Sequence, residues 1–87
     1  MTGQLVLSLS GRDKGRIHAI VAGDGEKQIV FLVDGKTRRV DKPKPKKLKH
    51  IKFLSVCDES IRIAVENGCL TDKTVREAIK AYEMNQE

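Results

Sequence analysis

The chain has no tryptophan, two phenylalanines and a single tyrosine among its 87 residues. So few flat side chains argue against an aromatic cage for methyl-lysine or a groove for proline-rich peptides. The same scarcity argues against binding single strands by base stacking. Cysteine is almost as rare. Cys57 and Cys69 form neither a CxxC pair nor a framework of four or six. A small secreted domain would need more crosslinks, and a zinc site would need closer-spaced ligands. No apolar run reaches membrane-spanning length. The opening segment MTGQLVLSLSGRDKG lacks the early positive charge and long apolar core of a secretory leader. These absences lead us to expect a soluble, cytoplasmic protein with no membrane partner, no metal and no cofactor.

Positive charge is abundant, and it is concentrated. Residues 36–52, KTRRVDKPKPKKLKHIK, hold nine of the seventeen Lys and Arg and a single acid, Asp41, for a local net of +8. The remainder of the chain is net −3, so the overall +5 understates the local field. A small domain with such a stripe carries the electrostatic footprint of a phosphate-backbone partner. The competing reading, a solvated loop that only confers solubility, fits charge runs in general. Here the density, the single sign and the two prolines that hold the segment extended favour binding. Lysines outnumber arginines seven to two in this run. An ammonium meets phosphate as a point charge, whereas guanidinium makes planar bidentate contacts. Binding dominated by the phosphate backbone is therefore expected, with Arg38 and Arg39 as the candidates for geometric specificity.

The first half of the chain reads as short strands separated by glycine turns. Residues 4–9, QLVLSL, place Leu5, Leu7 and Leu9 on one parity, as for a strand with one buried face. GRDKG at 11–15 is a turn, and IHAIV at 17–21 resumes the alternation. AGDGEK at 22–27 is a polar turn, and QIVFLV at 28–33 is the strongest strand, with Phe31 expected to be buried. Asp34-Gly35 signals a tight hairpin leading into a short basic strand at 36–40. Pro43 and Pro45 predict an exposed extended loop through DKPKPKK, and LKHIKFLSV at 48–56 allows a last strand. From residue 58 the period becomes helical. Asp58 or Ser60 caps a first helix that ends at Asn67-Gly68. Thr71 or Asp72 caps a second, in which Val75, Ala78, Ile79 and Tyr82 make one apolar face, with fraying expected from residue 83 to 87. The division expected is a barrel-forming part at 1–56 and a helical hairpin at 57–87, packed on or beside it. Residues 55–87 carry four basic and seven acidic groups, so this tail is not expected to be the main nucleic-acid contact. A protein partner could dock on its helices.

Nothing in the sequence arranges a nucleophile with a base, and no Walker-type loop is present. His18 has no acid or cysteine beside it in its strand, and His50 lies in the basic run. Asp13, Asp34 and Asp41 sit beside lysines or glycines, where turn and charge-balancing roles are expected. Cys57 and Cys69 are expected as small core residues. The chain is not expected to be an enzyme.

The segment from Leu5 to Gly35 has an apolar strand, then SGRDKGR, a second strand, a glycine-rich turn and a third strand ending in VDG. This resembles the KOW motif of translation and transcription proteins, in which the glycine at the position of Gly15 follows a basic residue, here Lys14. Taken further, GQLVLSLSGRDKGR, VFLVDGKTRR and KKLKHIKFL look like the large-subunit ribosomal proteins of the fourteen-e type from archaea and eukaryotes. The C-terminal thirty residues look like those of short KOW-domain proteins of some Gram-positive bacteria. The chain departs from the ribosomal proteins in its brief acidic tail. The resemblance implies a mainly β fold, a small SH3-like barrel with a short C-terminal helical appendage. It also implies binding to RNA, with ribosomal RNA as the expected partner.

The residues expected to carry that contact fall in two groups. Arg12, Lys14, Gly15 and Arg16 belong to the first loop. Lys36, Arg38, Arg39, Lys42, Lys44, Lys46, Lys47, Lys49 and Lys52 belong to the basic run. Two rival readings are a protein-interaction module of the SH3 or Tudor type and a non-specific binder of double-stranded DNA. Nothing in the sequence demands a dimer, so a monomer is expected.

Overall fold

Apolar residues of the first half recur in runs of three to five, too short for long helices and well matched to the short strands of a small sheet. The computed structural model describes residues 1–85. Five strands, β1 (Gln4–Ser8), β2 (Ile17–Asp24), β3 (Ile29–Val33), β4 (Lys44–Lys47) and β5 (Ile51–Cys57), form one antiparallel sheet in the order β4-β3-β2-β1-β5. Two helices follow, α1 (Glu59–Glu66) and α2 (Asp72–Met84). The edge strands β4 and β5 are consecutive in the chain, joined only by a 3₁₀ turn at Leu48–His50. Among the described residues, no helix is long and apolar enough to cross a membrane.

Both faces of the sheet are covered, which is why the simple parity expected of β1 fails. Leu5, Ala19 and Val33 lie side by side in register and pack against Ile61 of α1 and Val75 and Ala78 of α2. Val6, Ile20, Val30, Leu32 and Ile51 form a second cluster on the opposite face. Neighbours in sequence, Leu5 and Val6, are therefore both fully buried, while Leu9 lies past the strand end and is exposed. Each such aliphatic side chain contributes about 1.5–3 kcal/mol by leaving water. Phe31 is only half-buried.

The register irregularity opposite Leu5 puts extra residues in β5 between Phe53 and Cys57, a second bulge lies in β2 between Ile20 and Ala22, and a bulge bends its strand and adds twist. The Gln4 side-chain amide fills the first, donating to the carbonyls of Leu54 (2.6 Å) and Val56 (3.2 Å). β2 runs through Asp24, three residues into the expected polar turn.

The expected strand at 36–40 does not form. The Asp34 carboxylate accepts from the backbone N–H groups of Lys36 and Arg38, both at 2.8 Å, and winds these residues into a compact loop. The strand lies instead in the proline segment expected to be a loop. Leu48 N–H donates to Gln28 O, which makes the even-numbered positions of β4 the ones hydrogen-bonded to β3. Pro45 therefore turns its missing N–H away from the ladder, and an edge strand tolerates it.

The helices start where their caps predict. Asp58 accepts from Ile61 N–H, and Thr71 Oγ1 accepts from Thr74 N–H. Gly68 follows α1 with a φ of +68°. Val75 and Ala78 are buried, with Ile79 and Tyr82 packed beside them. α2 is intact through Met84; residues 86 and 87 of the segment expected to fray lie outside the described residues. Cys57 and Cys69 are both exposed, contrary to expectation, because one ends β5 and the other sits in the α1–α2 connection.

α2 is seated by Gly35. Its φ is +79°, and a Cβ there would lie 2.5 Å from the Asp72 carbonyl oxygen. The bare backbone lets the helix start close over the loop, where the Arg76 guanidinium donates to Gly35 O at 2.8 Å.

Candidate nucleic-acid interface

The two basic segments are far apart in sequence and adjacent in space. Gly11–Asp13 forms a 3₁₀ turn after β1, and the loop at 34–43 follows β3. Antiparallel pairing carries both to the same end of the sheet. Gly15 closes the first loop, its N–H donating to Ser8 O at 2.8 Å with a φ of +83°. A Cβ at Gly15 would meet nothing within 4 Å, so the glycine serves a left-handed turn rather than a close approach.

Three contacts tie the segments together. Arg38 Nε donates to Asp13 Oδ2 at 3.2 Å, Arg16 Nη1 to Thr37 Oγ1 at 3.1 Å, and Lys46 Nζ to Ser10 O at 2.8 Å. Asp13 is almost fully buried, so Arg38 neutralises a carboxylate that would otherwise be costly to hold there.

Beneath the loops lies a buried polar group that the sequence did not reveal. His18 Nδ1–H donates to Arg16 O (3.3 Å), and its Nε2 lies 4.0 Å from Asp34 Oδ2. Burial pushes the imidazole below its ordinary pKa, while the Asp34 and Asp13 carboxylates oppose that shift. The available signal was parity: His18 alternates with Ile20 on one face of β2, and Asp34 directly follows β3, the strand paired with β2.

Arg39 is also engaged. Its Nε donates to Asp72 Oδ2 at 3.1 Å, and Val40 N–H donates to Asp72 Oδ1 at 2.8 Å. The Val40 N–H and then the Arg39 guanidinium hold the Asp72 carboxyl below its ordinary pKa. Both arginines of the basic run thus serve the fold first, although Arg39 remains largely exposed.

The lysines are placed differently. Lys36, Lys42, Lys47, Lys49 and Lys52 are exposed, and Lys44 is half-exposed on β4. Among the described residues none of these has a carboxylate within ion-pair distance. Arg12, Lys14 and Arg16 are exposed on the neighbouring loop. The result is a field of solvated cations around one end of the sheet and along its β4 edge. Such a surface attracts polyanions and offers few planar, directional contacts. No gathering of three His, Cys, Asp or Glu side chains suited to a metal ion occurs among the described residues.

No family model matches the chain, and no curated protein matches it.

Proposed function

We propose that this chain is a non-catalytic RNA-binding protein of the cytoplasm, built on a small SH3-like barrel of the KOW type and contacting ribosomal RNA. The observation that carries the reading is the convergence of the loop at 11–16 with the basic run at one end of the sheet, with most lysines unpaired. The 3₁₀ turn between the two edge strands and the two bulges support a sheet curled toward a barrel. The resemblance of SGRDKGR and VDG to the KOW motif supports RNA over other polyanions.

The contact is with phosphates. If about six are neutralised, log K falls with log salt at a slope of roughly −4 to −5. Two measurements test this. Sedimentation of cell lysate through sucrose should place the protein with a large ribosomal subunit at low salt and release it at high salt. Competition between matched RNA and DNA duplexes should favour RNA, whose A-form shape and 2′-hydroxyls distinguish it. A protein that stays at the top of the gradient at low salt and ignores RNA in solution defeats the reading. Equal competition by DNA would leave only a general affinity for duplex phosphates.

A further inference from the structure

Net charge assigns the C-terminal helices to the acidic side of the molecule, but the folded chain sorts that charge by face. Most acids of the tail are committed internally. Asp58 caps α1, Glu59 and Glu66 both bind Arg62 (3.0 and 2.9 Å), and Asp72 holds Arg39 and the Val40 N–H. The cations of α2 are not so committed. Lys73, Arg76 and Lys80, spaced by three and four residues, share one side of the helix. That side borders an open groove of about 1030 Å³, whose other lining includes Arg16 of the first loop and Lys36 of the basic run.

The groove is built by contacts already described. Arg76 donates to Gly35 O, and Arg16 donates to Thr37 Oγ1, so two of its guanidinium groups are held at fixed places with N–H donors to spare. Five cations from three segments of the chain face three acids, Asp34, Glu77 and Glu83. Asp34 is buried and accepts from two backbone N–H groups, which leaves two exposed carboxylates against the five. Among the described residues, none of Lys36, Lys73, Arg76 and Lys80 has a carboxylate within ion-pair distance.

We infer that the groove between α2 and the first loop is a second phosphate-binding surface, which takes the sugar–phosphate backbone of the same RNA. The inference rests on the RNA-binding reading and extends it to a part of the chain whose net charge points the other way. Arg16 belongs to the loop that borders both surfaces, so one RNA can run from the basic run into the groove. The groove lining has no aromatic side chain, so its contact is with backbone and not with stacked bases.

The test compares two variants of the full chain on one labelled A-form RNA duplex across a salt series. K73A/K80A removes groove cations only, and K42A/K47A/K49A removes cations of the basic run only. Loss of two phosphate contacts should lower the magnitude of the salt slope by about 1.4–1.8 and weaken binding about tenfold or more near ~0.1 M salt. An unchanged melting temperature for K73A/K80A, and the same loss in K73Q/K80Q, would separate a contact from a folding defect. If K42A/K47A/K49A weakens binding while K73A/K80A keeps wild-type affinity and slope, the groove is not a contact and the RNA reading stands. If the wild-type protein ignores the duplex, both fall. If the K73A/K80A defect appears only against polyglutamate, the groove serves an acidic protein and the inference is overturned.

Discussion

The basic run divides into halves that are alike in density of cations and do different work. In the first, residues 36–41, Arg38 is bound to buried Asp13, Arg39 to Asp72, and the backbone is wound on Asp34 and Asp72. In the second, residues 42–52, the lysines stand in solvent with no carboxylate beside them among the described residues, and only Lys46 is tied, to Ser10 O. Similar densities of cations therefore give a loop clamp in one half and an available field in the other. Arginine, with its planar fork, is used for the fixed contacts, and lysine for the solvated ones.

That comparison predicts a clean separation of affinity from stability. The largest effect is expected from K42A/K47A/K49A. Losing three phosphate contacts should flatten the salt slope by about 2–2.7 and weaken RNA binding about a hundredfold near ~0.1 M salt. Its melting temperature should stay at the wild-type value, and a large drop there would erase the distinction between the halves.

Arg38→Ala should do the reverse. It strands a buried carboxylate, at a cost of about 2 kcal/mol after allowing for the guanidinium's partial exposure. For a domain of this size that corresponds to melting about 8–16 °C lower. Calorimetry reads the shift, and Arg38→Lys should fall between wild type and alanine. Arg38→Ala protein that melts normally but binds RNA poorly would move Arg38 into the binding half.

Arg39→Ala should change melting little, because the Arg39 side chain is largely exposed and Val40 N–H still holds Asp72. It is the one position where a modest loss of both stability and affinity is compatible with the division.

The smallest effect is a pH dependence beneath the clamp. The folded-state pKa of His18 is lowered, so the unfolded chain takes up the proton first as pH falls. The contribution is complete above the unfolded value of about 6.5 and is lost as pH drops from there through the folded value. Melting curves between about pH 8 and pH 5 should show a decline that His18→Asn flattens. A wild-type melting temperature that rises on acidification would mean that the neighbouring carboxylates outweigh burial.

Much of the fold was legible because the signals were local. The leucine and β-branched runs of β1, β2 and β3, the caps Asp58 and Thr71, and the apolar spacing of Val75, Ala78, Ile79 and Tyr82 each depend on neighbours within one element. What could not be read depended on partners distant in sequence. The basic strand expected at 36–40 was displaced by a side chain, Asp34, competing for the backbone N–H groups. The strand at Lys44–Lys47 was hidden by a proline whose effect depends on which way it faces. For the candidate site, the sequence located the cations but not their occupation. That Arg38 meets Asp13, 25 residues away, and Arg39 meets Asp72, 33 residues away, follows only from the sheet order and the seat of α2. The exposure of Cys57 and Cys69 was lost for a related reason, since one is the final residue of β5 and the other lies between the two helices, both at the margins of the core they were expected to join.

The edge strand β4 has a consequence unrelated to any ligand. A sheet edge is a template on which a second copy of a protein can add its own strand and start an aggregate. Here the template reads Lys-Pro-Lys-Lys, with Pro45 presenting a ring where the outward N–H would stand. An incoming strand would lose a hydrogen bond at its centre, and an identical one would also bring lysine against lysine. The composition that suits β4 to a polyanion thus also keeps this edge from growing, and neutral replacements that spare the fold should still cost solubility at high protein concentration.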